Sequence, residues 1–157
     1  MLAAVLAALA LQSSDFSANA AMPARFTCEG ENATPHLSVA GAPSGAKSLA
    51  LIVDDPDAPD PAAPKRTWVH WVVYDLPVAD GELKTSAGRA GKSDFNASDW
   101  RGPCPPIGKH RYFFKLYALD VQLGDRGRLT KAELEKAIEG HVLEKTELIG
   151  TYEKNKH

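Results

Sequence analysis

Three strand-length apolar runs, each fenced by turn formers, restrict this chain to a β-rich fold: "SLALIV" (48–53), "WVHWVVYDL" (68–76) and "HRYFFKLYAL" (110–119). Their aromatic and β-branched content suits a pleated, partly buried surface better than a helix. Turn-rich stretches at 41–47, 56–64, 78–82, 86–94, 101–108 and 123–128 read as loops. One helix is expected after Thr130, where Thr130 and Glu133 form a capping box, Leu134, Ala137 and Ile138 give an apolar face, and Gly140 is the end signal. A last strand is expected around 147–152. Many short strands beside one helix predict two packed antiparallel sheets, a β-sandwich-like domain with one or two peripheral helices. The chain has no βαβ alternation, G-x-G-x-x-G or Walker sequence, which argues against a Rossmann-type nucleotide fold.

The 157 residues suit a single domain. With 18 basic and 20 acidic side chains, the net charge of -2 gives no electrostatic footprint for nucleic acid. No basic amphipathic face supports membrane coating, and no stable membrane insertion is expected. Cys28 and Cys104 are too widely spaced for a zinc-type pair and are expected as two buried free thiols, with one bridge as the alternative. The opening "MLAAVLAALA" is too short to span a bilayer but suits the apolar part of a secretory signal, with a small-residue cleavage pattern at 8–10. The expected boundaries are therefore 1–10 for a leader remnant or apolar extension and 11–157 for the domain. That reading favours the periplasm or secretion; if the segment stays in the fold, a cytoplasmic location is the alternative.

The polar residues gain direction from strand geometry, since alternate side chains share a face. His70 is expected beside Trp68, Val72 and Tyr74, and His110 beside Tyr112, Phe114 and Leu116. Asp55 continues the Leu51–Val53 face to a strand end, where Pro56 blocks further ladder pairing. If the three strands are neighbours, Asp55, Asp57, His70, His110 and Tyr112 converge at one rim. Imidazoles and a phenol supply donors, and carboxylates orient the imidazoles and favour their charged form, which suits a phosphate or carboxylate ligand. The plainer reading makes the aspartates turn formers and the histidines ordinary partly buried side chains. A metal held by two histidines and a carboxylate, or a Cys104 nucleophile near His110, is a weaker alternative, because neither has a recognisable spacing. No cofactor is expected.

The stretches "LALIVDDPDAPDPAAPKRTWVHWVVYDLP", "GPCPP", "GKHRYFFKLYALD", "ELIGTYEK" and "FTCEGENATPHLSV" resemble the bacterial, Raf-kinase-inhibitor-like branch of the phosphatidylethanolamine-binding proteins. The resemblance runs from about Leu11 to Tyr152. It implies a β-sandwich-like fold with a small anion pocket at one end, lined by Asp55, Asp57 and Pro59, by His70, and by His110 and Tyr112. It places Cys104 and Pro105 of "GPCPP" in a further wall. Eukaryotic members have a glycine in place of Cys104 and a C-terminal helix beside the pocket, so their pocket mouth should differ. The resulting expectation is a non-enzymatic protein that binds a small anion or phosphorylated head group. Alternatives are an inhibitor of a protease or kinase acting through the loops at 57–66 and 86–101, and a metal-dependent hydrolase. Bacterial relatives suggest a homodimer, although no stretch marks an interface.

Overall fold

The computed structural model describes residues 8–155. In chain order the strands are β1 (Ala10–Gln12), β2 (Ser38–Ala40), β3 (Ser48–Ala58), β4 (Arg66–Leu76), β5 (Gly81–Glu82), β6 (Arg89–Ala90) and β7 (His110–Leu119), followed by helix α1 (Lys131–Ile138) and strand β8 (Val142–Tyr152). The strands form a small sheet in the order β1-β2-β5 and a large one in the order β6-β4-β3-β7-β8. Both are antiparallel, so the chain has the two-sheet, mainly β architecture expected of it.

The run "SLALIV" is continuously apolar because β3 lies at the centre of the large sheet with both faces covered. Leu49, Leu51 and Val53 join Trp71, Phe114 and Leu116 in the core between the sheets, which also takes Leu11 from β1 and Val39 from β2. Ala50 and Ile52 point the other way, into a second core with Val72, Tyr74, Leu134 and Ile138 under α1. Period-two geometry thus sends one strand into two cores.

Helix α1 forms as its sequence predicts. The Glu133 backbone N–H donates to Thr130 Oγ1 at 3.2 Å, and the Thr130 N–H donates to Glu133 Oε1 at 3.0 Å. Leu134 and Ile138 are buried, and Gly140 adopts the left-handed φ of 78° beyond the helix end. Lys131 and Lys115 of β7 both donate to the buried Asp54 carboxylate of β3, at 2.7 and 2.9 Å, which ties the helix to the sheet.

Several expectations need correction. Strand β3 does not stop at 53 but continues through "DDPDA" to Ala58. Its pairing with β7 ends at Asp54–Phe113, while pairing with β4 resumes at Ala58–Arg66 beyond an irregularity. Pro56 therefore ends one ladder only. Strand β8 starts at Val142, earlier than 147, and the stretches 78–82 and 86–94 contain the short strands β5 and β6.

The apolar opening segment enters the fold before residue 11, since Leu9 is in the core and Ala10 pairs with Ala40. The rest of that expected leader, residues 1–7, lies outside the described residues. Among the described residues no helix is long and apolar enough to cross a membrane.

The cysteines are neither buried nor free: Cys28 and Cys104 are exposed and joined in a disulfide, with Cα atoms 5.4 Å apart. The fold brings the 101–108 loop against the segment after β1. The Cys28 N–H donates to the Pro103 carbonyl at 3.1 Å, and the Gly102 N–H donates to Asn32 Oδ1 at 2.8 Å. A Cβ at Gly102 would sit 2.0 Å from the Phe26 carbonyl oxygen, so the approach requires glycine. With its sulfur in the bond, Cys104 is not a nucleophile.

Candidate ligand-binding site

A cavity of about 270 Å³ lies where β3, β4 and β7 meet the 101–108 loop. It is lined by Asp55, Pro59, His70, Cys104, Pro105, His110 and Tyr112 from the expected set. Trp68, Phe95, Ala58 and Pro106 complete the lining. Asp57 is the expected residue that does not line it.

Strand β7 is regular, so His110 and Tyr112 fall on the face that continues into Phe114 and Leu116, as alternation predicts. His110 Nδ1 meets Asp55 Oδ2 at 2.5 Å, while its Nε2 donates to the carbonyls of Ile107 and Pro59 at 2.9 and 3.1 Å. Asp55 Oδ1 in turn accepts the Asp57 N–H at 2.7 Å. This pair is buried and spends its hydrogen-bonding groups on the protein itself. It therefore braces the wall.

The role expected for Asp57 is corrected by its partners. Its carboxylate accepts the Arg111 backbone N–H at 2.9 Å and takes two further bonds from the Arg111 guanidinium, at 3.0 and 2.9 Å. Those guanidinium bonds hold its carboxyl below the usual range and raise Arg111. Physically, the carboxylate replaces a ladder rung just past the last β3–β7 pair, next to a proline that has no N–H to give. Asp57 anchors β3 to β7 rather than orienting an imidazole.

His70 departs from the simple alternation as well. Trp71 pairs with Val53 and Val69 with Asp54, so His70 is the extra residue of a β-bulge. The bulge separates it from Val72 and Tyr74, which face the second core, and leaves it with Trp68 at the cavity. No aspartate orients it. Its Nδ1 donates to the Arg101 carbonyl at 2.6 Å, which fixes the tautomer. Burial pushes its pKa down, against that carbonyl and the more distant Asp55, Asp54 and Asp94. Burial thus favours the neutral imidazole over the charged form expected, and among the described residues its Nε2 has no hydrogen-bond partner.

Aromatic contacts pack this end of the sheet. The His70 ring lies edge-on to Tyr112 and to Phe95, each 5.2 Å away, and Phe95 also meets Trp68 at 5.4 Å. Arg66 spreads over the Trp68 ring at 4.5 Å. Burial, followed by the charges of Asp55 and Asp57, pushes the Tyr112 phenol up, so it stays an O–H donor. Two donors on lining residues, Tyr112 Oη and Trp68 Nε1, are buried without a hydrogen-bond partner among the described residues. Among the described residues neither Lys nor Arg lines the cavity. Among the described residues no three His, Cys, Asp or Glu side chains are grouped so as to hold a metal ion.

Phe95 and Pro106 were not visible as lining residues in the sequence. Both lie in loops, where no periodicity assigns a direction. Trp68 was legible only as a neighbour of His70 on a strand.

A two-sheet β-protein with an aromatic, histidine-bearing cavity at the ends of its central strands is the class that fold and site define together. Residues 12–153 match the family model described as phosphatidylethanolamine-binding protein, and the chain belongs to that family. A UPF0098 protein of Methanothermobacter thermautotrophicus is 43% identical over 151 residues, covering 90% of this chain and 97% of that protein. The crystal structure of a phosphatidylethanolamine-binding protein homologue from Chlamydia trachomatis superposes with a TM-score of 0.86 at 40% identity, covering 94% of this chain and 99% of that one. YbcL of Escherichia coli, described as a new member of the mammalian family, gives 0.82 at 26% identity, covering 95% and 100%. A carboxypeptidase Y inhibitor, solved with its cognate proteinase, gives 0.61 at 20% identity, covering 94% and 83%, a likeness of fold.

Proposed function

We propose that this protein is a non-enzymatic binding module whose cavity takes a small oxyanion, a phosphoryl or carboxylate group carried by a lipid head group, a small molecule or a peptide. The observation that carries this reading is the pair of buried, unpartnered donors, Tyr112 Oη and Trp68 Nε1, on residues of one cavity. A buried donor left unsatisfied costs about 1–3 kcal/mol, which an acceptor oxygen drawn into the aromatic floor recovers. Asp55 is already satisfied by His110 and the Asp57 N–H, so the acidic wall does not face the ligand as a bare charge.

Two features support binding over catalysis. His110 commits both ring nitrogens to the protein, and Cys104 is in a disulfide. The exposed disulfide also fits an oxidising compartment, which supports a periplasmic or secreted location. Inhibition of a protease or kinase through the loops at 57–66 and 86–101 has no such specific feature behind it.

The test is a titration with inorganic phosphate and with phosphoethanolamine, followed by NMR of the Trp68 indole N–H and the His70 ring. Saturable shifts are expected. Tyr112→Phe, which removes one donor and little volume, should weaken binding by roughly five- to tenfold. Signals that stay fixed at millimolar ligand would overturn the reading.

A further inference from the structure

A separate cavity, of about 250 Å³, lies where β4 meets β6 and shares no lining residue with the one described above. Strand β6 pairs only with Val73 and Tyr74, so on that side no strand runs along β4 next to Trp71. Three other segments close in there instead: Thr34, the turn with Thr85 and Ser86, and the loop with Ser98 and Asp99. Gly88 permits the approach, since a Cβ there would sit 2.6 Å from Leu76 and 2.7 Å from Val73.

The floor is aromatic and the rim hydroxylic. Trp71 and Trp100 lie edge-on at 5.6 Å and reach the cavity from the core between the sheets. Trp100 also stacks on Phe114 and donates its Nε1–H to the Phe26 carbonyl at 3.2 Å, so the floor is fixed before anything binds. Among the described residues Trp71 Nε1 has no hydrogen-bond partner, and neither do the hydroxyls of Thr34, Thr85, Ser86 and Ser98. Among the described lining residues Asp99 is the only charged one. Its pair with Arg101, at 3.3 Å, is exposed and weak, which leaves the carboxylate open to a ligand.

That set of groups restricts the occupant. A hydroxyl both donates and accepts, so four of them beside a carboxylate suit a ligand with several hydroxyls of its own. An anion would meet Asp99 with no lysine or arginine among the described lining residues to offset it. A hydrocarbon would strip the hydroxyls of water and return no hydrogen bond. A sugar ring has hydroxyls at its edge and C–H groups on its faces. The volume, below the roughly 300–1,000 Å³ of sites for drug-sized ligands, suits one such ring.

We infer that this cavity binds a neutral pyranose, with Asp99 and the hydroxyls of Thr85 and Ser98 bonding its hydroxyls while its C–H groups lie on Trp71 and Trp100. The site is independent of the oxyanion reading, and neither stands or falls with the other.

The test titrates the whole protein with methyl glucoside, methyl galactoside and methyl mannoside to about 100 mM, following the tryptophan indole N–H signals by NMR. At least one sugar should move the Trp71 signal saturably, with a Kd of roughly 1–10 mM. The Trp100 signal, held by the Phe26 carbonyl, should move less, and that of Trp68 should stay fixed. The uronate of the bound sugar should bind roughly tenfold more weakly, and Asp99→Asn should narrow that gap to about twofold. Thr85→Val with Ser98→Ala removes two hydroxyls at partly exposed positions; it should weaken the neutral sugar roughly tenfold and leave the urea midpoint near its native value. A Trp71 signal unmoved by all three sugars overturns the site. Equal shifts with cyclohexanol, or native affinity in the double variant, overturn the role of the hydroxyls, and a uronate bound as tightly as its neutral sugar overturns the charge selection.

Discussion

Burial outweighs every carboxylate near His70 and pushes its pKa down, and this has a consequence for stability. In the unfolded chain the ring titrates at its ordinary 6.5, whereas in the fold its charged form is disfavoured. Below that pH the unfolded chain binds a proton that the native protein does not. The ring thus costs nothing above about pH 6.5 and subtracts stability as pH falls, with a slope approaching ~1.4 kcal/mol per unit. Asp57 acts lower: its carboxyl is depressed from 3.8, so its contribution is complete above that value and is lost only as pH falls further. Urea midpoints should therefore drop between about pH 7 and about pH 5 in the native protein, and His70→Phe should lose that part of the drop. An unchanged slope in the variant would remove His70 as its source. The same residue shows where sequence reading ends at this scale. His110 and Tyr112 were legible because β7 alternates without interruption, but a single inserted residue in β4 reverses the parity of His70 relative to Val72.

Among the elements, the 101–108 loop does the most for the cavity while having no regular structure of its own. Its Arg101 carbonyl holds His70 and its Ile107 carbonyl holds His110, and Cys104 and Pro105 form part of the wall. One covalent bond fixes this loop to the segment carrying Cys28, across a separation of 76 residues. Closing a loop of that length restricts the unfolded chain by about 4 kcal/mol in the chain-entropy estimate. Cys28→Ser with Cys104→Ser, or reduction by a dithiol, should lower the unfolding free energy by roughly that amount. Both histidine ring signals should shift or broaden together, because both carbonyl anchors sit on the freed loop. Shifts confined to residues beside the cysteines would mean that the hydrogen bonds from Cys28 and Gly102 hold the loop alone. The bond was not legible beforehand, since pairing over such a distance depends on which loop crosses which segment. Helix α1 was legible to its caps because its signals are all local.

For the whole molecule, the sequence carried the class but not the wiring. Turn punctuation and strand-length runs predict two antiparallel sheets, yet nothing in β3 says that its neighbours are β4 and β7. The continuous apolar run in β3 is the physical trace of that central place, because both of its faces are buried. The two cores are consequently not independent: the one between the sheets and the one under α1 are separated only by the large sheet. Phe114, stacked on Trp100 at 5.7 Å, fills the first, and Leu134 fills the second. Truncating either to alanine leaves a cavity, at about 3–5 kcal/mol for Phe114 and about 2–5 kcal/mol for Leu134. If the shared sheet couples them, each variant shifts one common transition, with Trp fluorescence from the first core and far-ultraviolet dichroism of the whole chain moving together. In Leu134→Ala the tryptophan signal, remote from the helix, should move to lower urea with the dichroism. A tryptophan transition that stays at its native midpoint while the dichroism splits into two steps would show that α1 and its core unfold as a separate unit. In that case the Asp54 pairs with Lys131 and Lys115 do not transmit the loss to the sheet.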